Sequence, residues 1–547
     1  MDFADKVVYQ IYPKSFKDSN NDGIGDIRGM IEKLDYLEKL GIDYIWSTPF
    51  FLSPQNDNGY DVSDYLSVDP AFGTMEDVEE LIKEADKRGI GLMFDMVFNH
   101  TSTSHEWFQK ALSGEPKYMD YYLFKDGSPD ELPTNWQSKF GGPAWEYVPG
   151  LKKWYLHLFD KTQADLNWNN PEVREELKNV LRFWKEKGIK GFRFDVVNLI
   201  SKPEKFMDDY EGDGRRFYTD GPYVHEFLKE MIRDAEIEEM VTVGEMSSTS
   251  MEHCIRYSNP EEKELSMCFN FHHLKVDYKD GDKWKVKEAD IEELKQIFFD
   301  WQEGMQKEHG WNAVFWCNHD QPRIVSRIGD TKRYWKESAT MLATCIHLMR
   351  GTPYIYQGEE LGMTNAGFSD ISKYRDVESL NYYRILCDQG LEEKEALDIL
   401  SKRSRDNSRT PMQWSDEQYA GFSHCEPWIE VNENYKNINA AAQVLEEDSI
   451  FNNYRRLILL RKQKPVIAKG GIEFIARNKD HVLAYRRYLH EEELIVFNNF
   501  SGEEKTIDLE IELKQYDRIF GNYSSLHIIG NDRIKLRPYE TIVLEKK

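Results

Sequence analysis

Residues 191–197 read Gly191-Phe192-Arg193-Phe194-Asp195-Val196-Val197. This aromatic and β-branched run is predicted as a short buried strand carrying a carboxylate at its exit. Similar apolar runs recur along the chain: Val7 to Tyr12, Tyr44 to Trp46, Gly91 to Phe98, Thr242 to Glu245, Leu265 to Phe271, Ala313 to Cys317 and Pro353 to Gln357. Longer amphipathic stretches such as Ile31 to Leu40 and Met75 to Lys87 lie between them, with Gly41 and Gly89 as stop signals. Eight strands alternating with helices predict an α/β fold, a closed parallel (β/α)8 TIM barrel, whose chemistry belongs at the carboxyl ends of the strands.

Two intervals are too long to be simple connections. Thr101 to Gln163 is rich in Trp, Tyr, Gly and Pro and reads as a small domain inserted after strand three, roofing the cleft. Residues 365–430 form a second long loop after strand eight, containing Ser404-Arg405-Asp406-Asn407-Ser408-Arg409-Thr410-Pro411. Beyond residue 466 the pattern changes to short alternating strands at Ile472 to Ala476, Val482 to Tyr488, Glu493 to Phe497 and Thr541 to Leu544. That pattern predicts a C-terminal all-β sandwich. The expected division is barrel over 1–100 and 168–465, insert over 101–167 and sandwich over 466–547.

The whole chain fits this size. Its 547 residues exceed one ordinary core. The 97 acidic against 71 basic side chains give a formal charge of −26, which argues against nucleic acid or an anionic membrane as partner. Met1-Asp2-Phe3-Ala4-Asp5 leads straight into a strand, with no basic leader and no apolar run long enough to span a bilayer, so a cytoplasmic location is expected. The six cysteines, at 254, 268, 317, 345, 387 and 425, form no CxxC pair and read as reduced thiols rather than zinc ligands. The 14 Trp and 30 Tyr suit packed cores and equally the stacking surfaces of carbohydrate clefts.

Asp195 is not alone. Two similar runs downstream are read as ending in Glu245 and in Asp320, each on the lip of its strand. A single carboxylate at a strand end is often just a helix cap. Three on one barrel lip match what a glycosidic bond requires: a nucleophile, an acid for the departing oxygen, and a group that holds the distorted ring.

With these residues in view, the chain resembles the α-amylase superfamily of retaining glycoside hydrolases over nearly its whole length. The matching segments are Asp95-Met96-Val97-Phe98-Asn99-His100, Gly191 to Asp195, Val243-Gly244-Glu245 and Asn318-His319-Asp320. Gln163-Ala164-Asp165-Leu166-Asn167 is similar to the marker of the oligo-1,6-glucosidase branch. The resemblance implies Asp195 as nucleophile, Glu245 as acid/base and Asp320 as the residue that holds the sugar hydroxyls. Arg193, two residues earlier on the same strand face, would keep the nucleophile ionised. His100 and His319 would bind the non-reducing glucose, Tyr60 would stack on its ring, and Asp61 would pair with Arg405 to close the pocket behind it. Arg409, on the same loop as Arg405, is a further expected substrate contact.

A second site is predicted at Asp18-Ser19-Asn20-Asn21-Asp22-Gly23-Ile24-Gly25-Asp26. Asp18, Asn20, Asp22, the Ile24 carbonyl and Asp26 fall at positions one, three, five, seven and nine, with glycine at six. The spacing resembles the first part of a calcium loop without its bidentate Glu. The resembled branch holds one structural ion there, and Ca²⁺ rather than Mg²⁺ is expected because several protein oxygens suit the larger ion. No cofactor is expected for catalysis.

Val196, directly after the nucleophile, goes in that branch with linkages other than α-1,4. Several segments, among them Ser53 to Asp61, Gly244 to Thr249, His253 to Tyr257, His272 to Tyr278 and Phe315 to Asp320, are most similar to the trehalose-6-phosphate hydrolases. A phosphorylated disaccharide is therefore the expected small-molecule substrate. Its phosphate would meet a basic residue beyond the closed pocket: Lys275 first, then Lys283, Arg215, Arg216 or Arg256. Two alternatives share all the catalytic residues, an oligo-1,6-glucosidase and a sucrose- or trehalose-isomerising transglycosylase. A third, a non-catalytic transporter subunit, would require lost carboxylates and a membrane segment.

Overall fold

The computed structural model describes residues 3–509 and 511–547. Met1, Asp2 and Glu510, within the predicted first and last segments, lie outside the described residues. Eight parallel strands form the central sheet: β1 Val8–Ile11, β2 Tyr44–Ser47, β3 Gly91–Met96, β4 Gly191–Phe194, β5 Val241–Glu245, β6 Met267–Phe269, β7 Ala313–Val314 and β8 Thr352–Tyr356. The order is β6-β5-β4-β3-β2-β1-β8-β7, and a parallel bridge from Cys268 to Asn312 joins the two edges. The barrel interior is therefore closed, and β1, β5 and β8 are buried along their whole length. Continuous apolar runs, rather than alternation, are what a sheet covered on both faces produces.

Five of the strands, β1, β3, β4, β6 and β7, are shorter than the apolar runs that predicted them, and the difference positions chemistry. β4 stops at Phe194 because Val196 turns into the left-handed region (φ 35°, ψ 40°) and a 3₁₀ turn follows over Val197–Leu199. A β-branched residue rarely adopts that conformation, and such strain gathers at functional sites. Asp195 is thus the first residue off the strand. β7 likewise ends six residues before Asp320. The helix expected over Ile31 to Leu40 is two helices, Ile27–Glu32 and Leu34–Leu40, broken at Lys33 (φ −103°, ψ 5°). Gly41 then ends the second at φ 96°. The Met75–Lys87 helix starts on a reciprocal Thr74/Asp77 capping box.

The interval after β3 leaves and re-enters the barrel through one antiparallel neck, His100–Ser102 against Gln163–Asp165. Between them, Phe124–Asp126, Lys153–Leu156 and Trp145–Val148 make a three-stranded sheet. Its core of Trp136, Trp145, Trp154, Leu156 and Leu158 also takes in Val196, Leu199 and Tyr218 from the segment after β4. The insert is therefore packed onto the turn that carries the first carboxylate. The loop after β8 contributes helices Val377–Asp388, Glu393–Arg403 and Asp406–Arg409. Asn381 Nδ2 donates to Phe140 O of the insert at 3.4 Å, so the two excursions meet above the barrel mouth.

The C-terminal region pairs a five-stranded antiparallel sheet with a three-stranded one. Along Val482–Leu489 the period of two divides the side chains. Val482 and Ala484 join Ile507, Ile534 and Leu536 between the sheets, while Leu483 and Tyr485 join the barrel core. All six cysteines are free thiols. Among the described residues no helix is long and apolar enough to cross a membrane.

Candidate active site

Arg193 is buried at the barrel axis and sits beside Asp95 in the β4–β3 register. Its Nη1 donates to Asp95 Oδ1 and to Asp195 Oδ1, both at 2.6 Å, and its Nη2 contacts Glu245 Oε2. Asp95 is held in turn by Trp46 Nε1 (3.1 Å) and Tyr60 OH (2.9 Å). Asp195 and Glu245 thus share one guanidinium through its two terminal nitrogens, a close pairing of the kind a retaining mechanism uses.

The environment sets their proton affinities apart. Burial pushes Glu245 up to about 8, against the pull of Arg193 and with the help of Asp195 and Asp320. Burial also raises Asp195, to about 6, with Arg193 opposing it and Asp95 adding to it. Glu245 is therefore the group that keeps its proton near neutrality. For Asp320 burial is outweighed by His319, Arg405 and Arg409, which hold it well below the usual carboxylate range. One carboxyl stays protonated and another stays charged, as acid catalysis beside a cationic transition state requires.

Asp320 receives Arg409 Nη2 at 2.8 Å, Arg405 Nη1 at 3.2 Å and His319 Nε2 at 3.3 Å. Arg405, the N-cap of the Asp406–Arg409 helix, and Arg409, at its end, share Asp320 and Asp376. His319 lies beneath the pocket floor, with Nδ1 on Gln10 (2.8 Å) and its ring stacked under Tyr60 at 5.0 Å. Arg409 is also below the surface, its Nε on His319 O at 3.0 Å. Tyr60, His100, Phe140, Phe159, Val196 and Arg405 line the pocket itself. His100 Nε2 faces Tyr60 O (3.1 Å) and Gln163 Nε2 (3.2 Å), both rigid groups that fix its ring.

One predicted pair is corrected. Arg405 does not pair with Asp61; its Nη2 reaches Asp57 Oδ1 at 3.1 Å, and its Nε donates to Asp376 at 2.9 Å. Asp61 turns inward and accepts from Ser53 Oγ (2.9 Å), Asn56 N (2.9 Å) and Asp57 N (3.0 Å). It braces the turn that presents Asp57. Both acids belong to the segment read from the sequence, and spacing alone did not choose between them. Asp376, Gln163, Phe140 and Phe159 escaped sequence reasoning because their roles depend on two long excursions meeting in space.

Of the basic residues expected near the pocket mouth, most are already neutralised. Lys283 lines the pocket but pairs with Glu378 at 2.6 Å. Arg215 pairs with Asp213, Arg216 with Asp209 and Glu211, and Arg256 lies 3.9 Å from Glu264. Lys275 also lines the pocket, is half-buried, and has no acidic partner among the described residues. Burial and the nearby Arg215 lower its affinity for a proton.

The 18–26 loop is wound by successive side-chain turns. Asp18 accepts from Asn20 N, Asn21 N and Gly23 N, Asn20 accepts from Asp22 N, and Asp22 accepts from Ile24 N. Gly23 bends the loop at φ 88°, and a Cβ there would lie 2.4 Å from Glu426 O. The oxygen-only donor set fits a hard cation. Asp26 is otherwise engaged: it accepts from Ser19 and caps the Ile27–Glu32 helix through Gly29 N at 2.6 Å. The carboxylates of Asp18, Asp22 and Asp26 do not draw together as a three-ligand group; among the described residues only the Glu292 and Asp480 carboxylates with the His481 imidazole do.

Comparison with known proteins agrees with this geometry. Residues 10–470 match the alpha amylase catalytic domain, and residues 482–543 match the alpha-amylase SusG C-terminal domain. The chain is 52% identical to a trehalose-6-phosphate hydrolase of Bacillus subtilis (strain 168), covering 98% of this chain and 97% of that one. It is 45% identical to an oligo-1,6-glucosidase of Bacillus cereus, covering 100% and 99%. The crystal structure of a Bacillus licheniformis trehalose-6-phosphate hydrolase superposes with a TM-score of 0.95 at 55% identity, covering all of both chains. The chain belongs to the α-amylase family of glycoside hydrolases.

Proposed function

We propose that this chain hydrolyses α,α-trehalose 6-phosphate to glucose and glucose 6-phosphate with retention of configuration. Asp195 attacks the anomeric carbon of the unphosphorylated glucose while Glu245 protonates the bridging oxygen, releasing glucose 6-phosphate. Water, deprotonated by Glu245, then attacks the glycosyl ester, freeing glucose and restoring Asp195. Asp320 and His100 hold the hydroxyls as the ring flattens. Asp57, Arg405 and Asp376 close the far end of the pocket, so one glucose is removed from a terminus. The observation that carries the substrate assignment is Lys275, a half-buried cation without an acidic partner in the pocket wall. Neither an oligo-1,6-glucosidase nor a sucrose isomerase has a leaving group that would call for it. A phosphorylated substrate and free thiols support a cytoplasmic location, and the net charge of −26 supports action without nucleic acid or membrane.

We also infer a structural Ca²⁺ in the 18–26 loop, held by Asp18, Asn20, Asp22 and the Ile24 carbonyl. The oxygen spacing and the glycine bend support it, and none of these residues lines the catalytic pocket, which speaks for stability rather than chemistry.

Asp195→Asn should abolish nearly all turnover, because no ester can form. Glu245→Gln should slow poor leaving groups ~10²- to 10⁴-fold, while an activated aryl glucoside partly escapes in its glycosylation burst. The native pH profile should rise as Asp195 ionises and fall near pH 8 as Glu245 loses its proton. An alkaline limb that survives in the burst phase of Glu245→Gln would assign it to another group. Asp22→Ala should lower Tm and remove the response of Tm to chelator, with turnover of the folded enzyme near native; an inactive but equally stable variant would place the ion in the chemistry. Lys275→Ala should lower kcat/KM for trehalose 6-phosphate about ten- to a hundredfold, from the ~1.5–3 kcal/mol of a charged contact. Equal loss on an uncharged aryl α-glucoside would refute its role as a phosphate contact.

A further inference from the structure

Past Glu245 the chain reads Met246-Ser247-Ser248-Thr249, and Ser247 and Ser248 line the pocket beside Leu274, Lys275 and Tyr278. Because the acid must stand next to the departing oxygen, this wall is the side on which the leaving sugar rests. The loop is rigidly tied. Ser247 N donates to Asn198 Oδ1 (2.8 Å), Asn198 Nδ2 donates to Ser247 O (2.9 Å), and Thr249 Oγ1 donates to Asp220 Oδ2 (2.9 Å). Ser248 sits at φ 56°, a conformation that costs strain in a non-glycine residue.

Lys139 reaches this wall from the inserted segment. Its Nζ donates to Ser247 Oγ at 3.2 Å and lies 5.7 Å from the centroid of the Tyr218 ring. It is half-buried and, among the described residues, has no carboxylate within ion-pair distance. The charged groups that act on it are Arg215, Asp213, Lys275 and Glu245, and Asp213 is already bound to Arg215. Burial, Arg215 and Lys275 push the ammonium of Lys139 down to about 8. Two ammonium groups on separate elements thus act on one stretch of wall without a carboxylate for either. Their mutual repulsion and desolvation are unfavourable unless an anion lies between them.

Resting on the trehalose 6-phosphate reading, we propose that Lys139 is a specificity-determining residue, which with the Ser247 hydroxyl grips one side of the leaving sugar's phosphate while Lys275 takes the other. The insert then does more than roof the cleft. It supplies one arm of the anion seat, and the Asn198 tie links that seat to the turn that follows the nucleophile.

The test compares the native enzyme with Lys139→Ala, Lys139→Arg and the Lys139→Ala/Lys275→Ala double variant. Two quantities are read: kcat and KM on trehalose 6-phosphate, and inhibition of 4-nitrophenyl α-glucoside hydrolysis by glucose 6-phosphate and by glucose. Lys139→Ala should raise KM and the glucose 6-phosphate inhibition constant about ten- to a hundredfold. Inhibition by glucose should shift little, Lys139→Arg should recover most of the loss, and the double variant should lose more than the single. A matching loss for glucose would mean that Lys139 only supports the insert, and unaltered glucose 6-phosphate inhibition would remove the seat; either overturns the inference. If the native enzyme leaves trehalose 6-phosphate intact while Lys139→Ala still weakens glucose 6-phosphate selectively, the substrate reading fails and the anion seat stands.

Discussion

One buried guanidinium organises this molecule's chemistry. Arg193 sits at the barrel axis against Asp95, Asp195 and Glu245, three carboxylates from three neighbouring strands. Burying several ions costs several kcal/mol each even after relaxation, and removing one partner leaves the others uncompensated. A single positive charge cannot neutralise three negative ones, so one carboxyl is best kept protonated. Burial, with the charges of Asp195 and Asp320 added to it, pushes Glu245 higher than either aspartate, so Glu245 becomes the proton store, while Asp195, bound to the same nitrogen as Asp95, remains the nucleophile. Nucleophile and acid are therefore a consequence of charge balance around Arg193, in addition to their place on the strands.

A second layer repeats the principle with two guanidinium groups in place of one. Arg405 and Arg409 meet Asp57, Asp320 and Asp376, and here the cations hold Asp320 ionised next to the reacting carbon. This layer comes from the loop after β8, and the aromatic roof of Phe140 and Phe159 comes from the insert after β3. Phe140 lies 4.9 Å from Arg405, and its carbonyl accepts from Asn381. The catalytic layer belongs to the barrel, whereas the walls that decide what enters are built where two excursions touch. One scaffold can thus keep its chemistry while relatives differ in substrate.

The barrel was legible because its strands are buried on both faces and leave continuous apolar runs between helices with clear stop signals. Asp195 and Glu245 were legible because each lies at or just past a strand end, whereas Asp320, six residues beyond β7, was legible through the Asn318-His319-Asp320 segment of the family resemblance. Strand ends were not: apolar content carries on through Val196 and Val197, but the backbone turns left-handed at Val196. The Arg405 partner was misjudged for a related reason. Asp57 and Asp61 lie in one five-residue turn, and which carboxylate faces the pocket depends on hydrogen bonds from Ser53 and from two backbone amides. Lys139 was invisible because nothing in its own segment marks it; only the meeting of the insert with Ser247 and Lys275 does.

The central claim is that a charge-tuned retaining pair acts on a disaccharide whose leaving half carries a phosphate. Proton NMR of the native enzyme with trehalose 6-phosphate, recorded before mutarotation, tests it most directly. The account predicts equal amounts of glucose 6-phosphate and glucose, with the glucose first appearing as the α-anomer. Glucose appearing first as the β-anomer, a rearranged disaccharide, or an intact substrate alongside ready cleavage of isomaltose would contradict it.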